Sequence, residues 1–284
     1  MLDKAHKEAR VRCNGFDELY LDLLKKRLTR YIFPDTYRPY QPRRRLKRKL
    51  KSLVQKGLAS RQLVLVRRVS FDPDALAERR QPSLEAETMI GFKRLDNLQH
   101  CITDVLRRRV PGDLIETGVW RGGVTIFMRA MLKVYGDTER IVWVADSFQG
   151  LPKPDPARYP ADAGDRHWTR TELRVSLEEV KANFARYGLL DDQVRFLVGW
   201  FRHTLPSATI DRLAVLRLDG DMYESTMDAL RHLYPKVTVG GYVIVDDYGL
   251  RRCKTAVDDF RREHGIVEAV KPIDWTGIYW QRER

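Results

Sequence analysis

The chain has 284 residues, 32% of them charged, and a net charge of +13. That length accommodates one large domain, or one domain with an extension, and no apolar run is long enough to span a bilayer. The charge is uneven: residues 1–80 hold 22 Lys and Arg against 9 Asp and Glu, while the remainder balances at 30 against 30. A high overall pI is therefore no argument that the main domain binds nucleic acid. The first residues, Met1-Leu2-Asp3-Lys4-Ala5-His6, lack the apolar core of a secretory signal. Cys13, Cys101 and Cys253 are far apart and show no metal or redox spacing. Together these features predict free thiols and a cytoplasmic setting.

Residues 16–32 are predicted to form a first amphipathic helix, with Phe16, Leu19, Tyr20, Leu23, Leu24, Leu28 and Tyr31 on its apolar face. Leu21 departs from that pattern, and Glu18, Asp22 and Lys25 fall opposite. The helix is expected to pack on the main domain or on another subunit. After Pro34, Pro39 and Pro42 comes the basic block Arg43 to Lys51, with Leu46, Leu50, Leu53 and Val54 at helical spacing. It reads either as a solvated arm or as a basic helix making peripheral contact with an anionic membrane. Pro73 to Pro82 reads as a linker, and the expected boundary separates an extension, 1–84, from a globular domain, 85–284. Phe92 to Arg109 should be helical up to the stop at Pro111-Gly112.

From there strands and helices alternate. Asp113–Thr117 is a strand, followed by a glycine-rich turn and a helix from Val124 to Tyr135. Ile141–Asp146 is a second strand, and a Pro-rich loop leads to a helix from Leu173 to Tyr187. Val194–Val198, Leu213–Asp219 and Tyr242–Asp246 are the next three strands. A helix from Cys253 to His264 follows, and Trp275–Trp280 should close the chain as an antiparallel edge strand. The alternation predicts an α/β fold with a doubly wound, mostly parallel sheet.

Two of these strands end in paired acids, Asp219 with Asp221 and Asp246 with Asp247. Acids at the carboxyl ends of parallel strands project into the crevice where such sheets bind ligands. Several carboxylates in one cleft repel one another unless a cation lies among them, and a hard divalent ion such as Mg²⁺ prefers oxygen ligands. The competing reading is that these acids cap helices or pair with Arg217 or Arg251. The turn Gly118-Val119-Trp120-Arg121-Gly122-Gly123 lets backbone approach a ligand closely, and Asp146 is placed to hold a ribose. The spacing lacks the Gly-x-Gly-x-x-Gly of a pyrophosphate cradle. Glu116 would repel phosphate but suits an ammonium.

The sequence resembles the macrocin O-methyltransferase family of sugar methyltransferases. The resemblance runs from about Glu87 to the C-terminus. It is carried by Thr88-Met89-Ile90-Gly91, Lys93-Arg94-Leu95-Asp96-Asn97, Gly112 to Gly123, Ala145-Asp146-Ser147-Phe148-Gln149-Gly150-Leu151-Pro152, Gly199-Trp200-Phe201, Leu218 to Ser225 and Asp246-Asp247-Tyr248. It implies a Rossmann-like enzyme that uses S-adenosylmethionine and Mg²⁺ to methylate a sugar hydroxyl of a natural-product glycoside or polysaccharide. Glu116 and Gly118 would line the methionine end, Asp146 and Ser147 the ribose, and Gly199 and Trp200 the adenine. Thr88, Met89, Thr117 and Val119 complete the implied cofactor set. Asp219, Asp246 and Asp247 would be the metal ligands. Asp221 would be the general base, and His167 would sit in a lid over the acceptor. A homo-oligomer is also implied. The alternatives are an NAD-linked sugar oxidoreductase and a non-catalytic scaffold with a membrane- or polyanion-binding arm.

Overall fold

The computed structural model describes residues 15–40, 52, 54–58, 61–78, 80, 83 and 85–284. The basic block Arg43 to Lys51 therefore lies outside the described residues, as does Cys13. Cys101 and Cys253 are buried free thiols. Among the described residues no helix is long and apolar enough to cross a membrane.

The first helix, α1 (Gly15–Leu28), begins close to where its periodicity predicts. Its buried face overlaps the expected one only at Leu24 and Leu28. Leu21, Leu24 and Leu28 are buried, while Phe16, Leu19, Tyr20 and Leu23 are 83%, 63%, 43% and 53% exposed. The reason is that this helix is apolar on nearly every side, so tertiary partners choose the face. Lys25 also faces inward because its ammonium pairs with Asp96 and lies 5.8 Å from the Phe127 ring centre. A short antiparallel strand pair, β1 (Tyr37–Pro39) with β2 (Val66–Arg68), follows and was not expected.

The expected linker contains a helix, α2 (Pro73–Ala77). Asp72 caps it by accepting the Asp74 and Ala75 amides at 3.1 and 3.0 Å, and Pro73 occupies a first-turn position where no amide is missed. Helix α3 (Phe92–Arg107) starts at Gly91, where a Cβ would lie 2.2 Å from the Ala77 carbonyl oxygen. Its Leu95, Leu98, Ile102 and Val105 recur at helical spacing and are buried.

The central unit is a seven-stranded sheet. Its strands are β3 (Asp113–Thr117), β4 (Val142–Asp146), β5 (Val194–Val198), β6 (Leu213–Leu218), β7 (Val237–Val245), β8 (Lys271–Pro272) and β9 (Ile278–Gln281), in the order β5-β4-β3-β6-β7-β9-β8. The first five are parallel and β9 runs antiparallel to β7. The expected antiparallel strand thus exists, but β8 rather than β9 forms the edge. Pro272 on β8 has no amide to offer a further strand.

Alternate residues feed two cores. Leu114, Val142, Val144 and Ile244 pack under α1, α3, α4 (Gly123–Val134) and α5 (Leu177–Arg186). Ile115, Trp143, Ala145, Val243 and Val245 pack against α7 (Tyr223–Leu233) and α8 (Arg251–Glu263), with the one-turn α6 (Phe201–Thr204) beside them. This two-sided burial explains why the strands read as near-continuous apolar runs. Helix α7 is absent from the sequence reading. Helix α5 starts later than expected because Ser176 caps it, accepting the Glu179 amide at 3.1 Å.

Candidate active site

The sheet order reverses between β3 and β6, and a cleft opens at the carboxyl ends of the strands there. That is where open α/β sheets bind ligands. The strand ends are laced together past their last residues. Gly118 donates to the Ala145 carbonyl at 2.8 Å, Asp219 to Thr117 at 2.9 Å, Asp246 to Leu218 at 2.9 Å and Gly199 to Asp146 at 2.9 Å. These bonds hold residues far apart in sequence in one row.

Gly118, at φ +90°, is the tightest point. A Cβ there would lie 1.9 Å from the Asp219 carbonyl oxygen. Gly118→Ala is expected to cost about 2–5 kcal/mol of stability and to close this part of the cleft. Gly188, at φ +64° with no atom within 4 Å of its Cβ position, is the control. Gly188→Ala should cost only the backbone strain, about 1–2 kcal/mol. Equal denaturant midpoints for the two variants would show that the close approach is not what requires glycine.

The cleft is lined by Thr88, Met89, Glu116, Gly118, Val119, Asp146, Ser147, Gly199, Trp200, Asp219 and Asp221, along with Leu151, Pro152 and Leu173 from the loop after β4. Most of the expected site residues are thus brought together. Thr117 is buried behind the wall, its hydroxyl 3.4 Å from the Arg217 carbonyl. His167 lies in a 3₁₀ turn, and its Nδ1 is 2.9 Å from Asp165 Oδ2, a carboxylate that Arg252 also approaches. Among the described residues lining the cleft, His167 does not appear. Its loop is anchored by Asp162, which accepts the Tyr223 and Glu224 amides at 2.8 and 2.9 Å and so caps α7.

Asp146 accepts the Val119 and Phe148 amides, each at 2.8 Å. Burial pushes its carboxyl above the usual range, and those two amides oppose the shift. The Ser147 hydroxyl also lies 3.5 Å from its Oδ1.

The acids of β6 and β7 do two things at once. Asp219, Asp246 and Asp247 each present a carboxylate oxygen within 4.8 Å of the others. Asp219 and Asp246 are also tied to buried arginines, so the sequence alternative of pairing with Arg217 is realised for two of the three. Arg217, 1% exposed in the middle of β6, pairs with Glu116, with Asp219 at 2.9 Å and with Asp246. Arg94 of α3 pairs with the other oxygen of Asp246 and, at 2.7 Å, with Asp274. The result is a chain of ion pairs buried under the cleft floor, which the sequence reading did not foresee.

Glu116 Oε2 is buried without a hydrogen-bond partner at the cleft wall. Burial is the main reason its carboxyl is pushed up to about 8, with Arg217 opposing and Asp219 and Asp246 reinforcing the rise. Asp221 has φ +56°, and the Met222 amide bonds back to Gly220 at 2.5 Å across it. A non-glycine residue in so tight a positive-φ turn is strained, and such strain clusters at functional sites.

A glycine turn after the first strand, an acid after the second and an acid row at the switch point define a Rossmann-like cofactor-dependent transferase. The comparisons with known proteins narrow this. The chain matches the family described as Macrocin-O-methyltransferase (TylF) over residues 17–282, and it belongs to that family. It is an O-methyltransferase. The match begins well before Glu87 and takes in α1, in keeping with that helix's place in the core. The chain is 50% identical to 8-demethyl-8-(2,3-dimethoxy-alpha-L-rhamnosyl)-tetracenomycin-C 4'-O-methyltransferase of Streptomyces olivaceus, over 93% of this chain and 92% of that one. It is 46% identical to mycinamicin III 3''-O-methyltransferase of Micromonospora griseorubida, over 93% and 96%. The solved structure of the O-methyltransferase NovP aligns with a TM-score of 0.80 at 46% identity, covering 94% of this chain and 99% of that one.

Proposed function

We propose that the protein transfers a methyl group from S-adenosylmethionine to a sugar hydroxyl of an antibiotic-type glycoside, with Mg²⁺ at Asp219, Asp246 and Asp247. The observation that carries this reading is that Asp219, one of three carboxylates within 4.8 Å of one another, lines the same cleft as the Gly118 turn and Asp146, with Asp246 and Asp247 buried behind it. The names of the relatives, which act on a rhamnosyl tetracenomycin and on mycinamicin III, support a glycoside acceptor.

The donor fits the residues present. Glu116 Oε2 needs a hydrogen-bond donor, and an amino acid's ammonium is one. Asp146 lines the cleft at the second strand end, in reach of ribose hydroxyls, and Gly199 and Trp200 line the next strand end for the base. The metal fits by donor chemistry. Asp219, Asp246 and Asp247 offer carboxylate oxygens within 4.8 Å of one another. All-oxygen donors suit a hard divalent cation.

When bound, the donor supplies a methyl group already activated on a sulfonium, and the metal lowers the pKa of a coordinated hydroxyl. The protein's own part is to orient the acceptor hydroxyl and to remove its proton, the role assigned to Asp221 on the cleft wall. Rigid placement through the strained turn spares the base the entropy of finding its position. His167 is retained only as a residue of the anchored loop, held by Asp165. The outward stripe of Phe16, Leu19, Tyr20 and Leu23 on α1 supports the expected homo-oligomer, and a biosynthetic role fits a cytoplasmic setting.

The first test is a calorimetric titration of the purified chain with S-adenosylmethionine beside one with NAD. Saturable binding of the methyl donor alone is expected. Turnover is then sought with mycinamicin III and demethyldecarbamoylnovobiocin, the latter named for a relative 47% identical over 95% of this chain. Binding of NAD in place of the methyl donor would sink this reading.

A further inference from the structure

Helix α7, which follows the acid-bearing turn of β6, places a second carboxylate on the same cleft. Glu224 is 4% exposed at its side chain. Its Oε1 accepts from Arg202 Nη1 at 2.7 Å, whereas Oε2 is buried with no hydrogen-bond partner. Its backbone amide is held at 2.9 Å by Asp162 of the anchored loop. Arg202 and Glu224 line the cleft beside Trp200, Phe201 and Ser225. The surroundings are close-packed, since a Cβ on Gly220 would lie 2.9 Å from Ser225 Cβ and 3.7 Å from the Phe201 ring. A buried, fixed carboxylate oxygen without a donor is costly unless a ligand supplies one.

The row of strand ends indicates which ligand group arrives there. β3, β4 and β5 are adjacent in that order, so a nucleoside-bearing donor laid across them meets Glu116, then Asp146, then the Gly199-Trp200 turn. Arg202 follows that turn directly in α6, and Glu224 faces it from α7. Ionised carboxylates only accept hydrogen bonds. At the base end of an adenosine, the group that only donates is the exocyclic amine. We infer that Glu224, fixed by its ion pair with Arg202, accepts the exocyclic amine of the donor's adenine and selects against purines that carry an oxo group there. This inference rests on the methyl-donor reading above. It adds a base-selecting residue that the Gly118 and Asp146 motifs do not contain.

The test uses S-adenosylhomocysteine and S-inosylhomocysteine, which differ in the six-position amine or oxo group, each titrated calorimetrically into the full chain. The wild type is expected to favour the adenosyl compound by roughly tenfold to a hundredfold. In Glu224→Gln the side-chain amide can present its oxygen to an amine or its NH₂ to an oxo group. The preference should then shrink to within about threefold, while the KM of the acceptor stays unchanged. A wild-type ratio near one needs no variant to interpret and would overturn the assignment. So would an unchanged ratio in a Glu224→Gln protein of normal melting temperature, or a rise confined to the acceptor KM. Failure of the wild type to bind either compound would instead overturn the methyl-donor reading, and this inference with it.

Discussion

Asp219→Ala is expected to lower methyl transfer by a factor of about 10²–10⁴ or more, while the protein stays folded and still binds S-adenosylmethionine. Asp219 is the member of the trio that lies at the switch point, directly across from Gly118. Its side chain is the more exposed partner of Arg217, at 22%, whereas Glu116 and Asp246 are 1% exposed. Removing it leaves Arg217 paired with both buried partners, so no uncompensated charge is created in the core. The contact with Gly118 is made by the Asp219 backbone carbonyl, which alanine retains. The donor-binding face therefore survives, and the loss falls on the hydroxyl's activation. Turnover should be compared with and without EDTA, and with Mg²⁺ restored. Wild-type activity should fall on chelation and recover on addition of the ion, and the variant should do neither. Undiminished turnover in the variant would remove Asp219 from the metal site. Lost donor binding would mean that its side chain supports the cofactor cleft.

Arg217→Met is expected to produce the largest loss of stability, about 3–5 kcal/mol, because it strands buried carboxylates without a counter-charge. Folded domains commonly have only about 5–15 kcal/mol in hand. The melting temperature should fall by on the order of 10 °C for a chain of this size. Lysine is no substitute, since one ammonium cannot reach Glu116, Asp219 and Asp246 in the forked geometry that Arg217 adopts. The pH dependence has a definite sign. Glu116 has a folded pKa of about 8 against an ordinary 4.5, so its share of stability is present in acid and is lost as pH rises towards 8. Arg217 opposes that shift, so its removal raises the carboxyl further. The deficit of the variant relative to the wild type should therefore widen between pH 7 and pH 10, where Glu116 ionises in the folded wild type but stays protonated in the variant. Thermal melts at the two pH values check this. A deficit independent of pH would show that packing, not charge, is what Arg217 contributes.

The sheet and its acid row were legible in the sequence for a physical reason. Strands covered on both faces must be apolar throughout, so runs such as Leu213–Leu218 and the last residues of Val237–Val245 stand out, and the charges that end them mark the cleft. Gly118 was legible because only glycine suits a chain that passes so close to its neighbour. Helix α1 was placed nearly correctly along the chain but is rotated about its axis, burying Leu24 and Leu28 as expected and Leu21 in place of Phe16, Leu19, Tyr20 and Leu23, since a helix apolar on most sides carries no record of which side is covered. The helix after β6 went unread although Leu230 and Leu233 are buried in it, and with it went Glu224.

The sequence by itself determined the α/β class, the glycine turn and the acids at the strand ends, because these depend on local period and on residue type at the ends of buried runs. Only the tertiary structure decided that Arg217 and Arg94 share those acids, that Thr117, His167, Asp246 and Asp247 stand outside the cleft lining, and that Glu224, with one carboxylate oxygen unpartnered, belongs to it. Arg217 and Glu116 are 101 positions apart and Arg94 and Asp274 are 180. Pairings over such distances are set by which strands lie side by side and which helices cover them, and no local pattern encodes that.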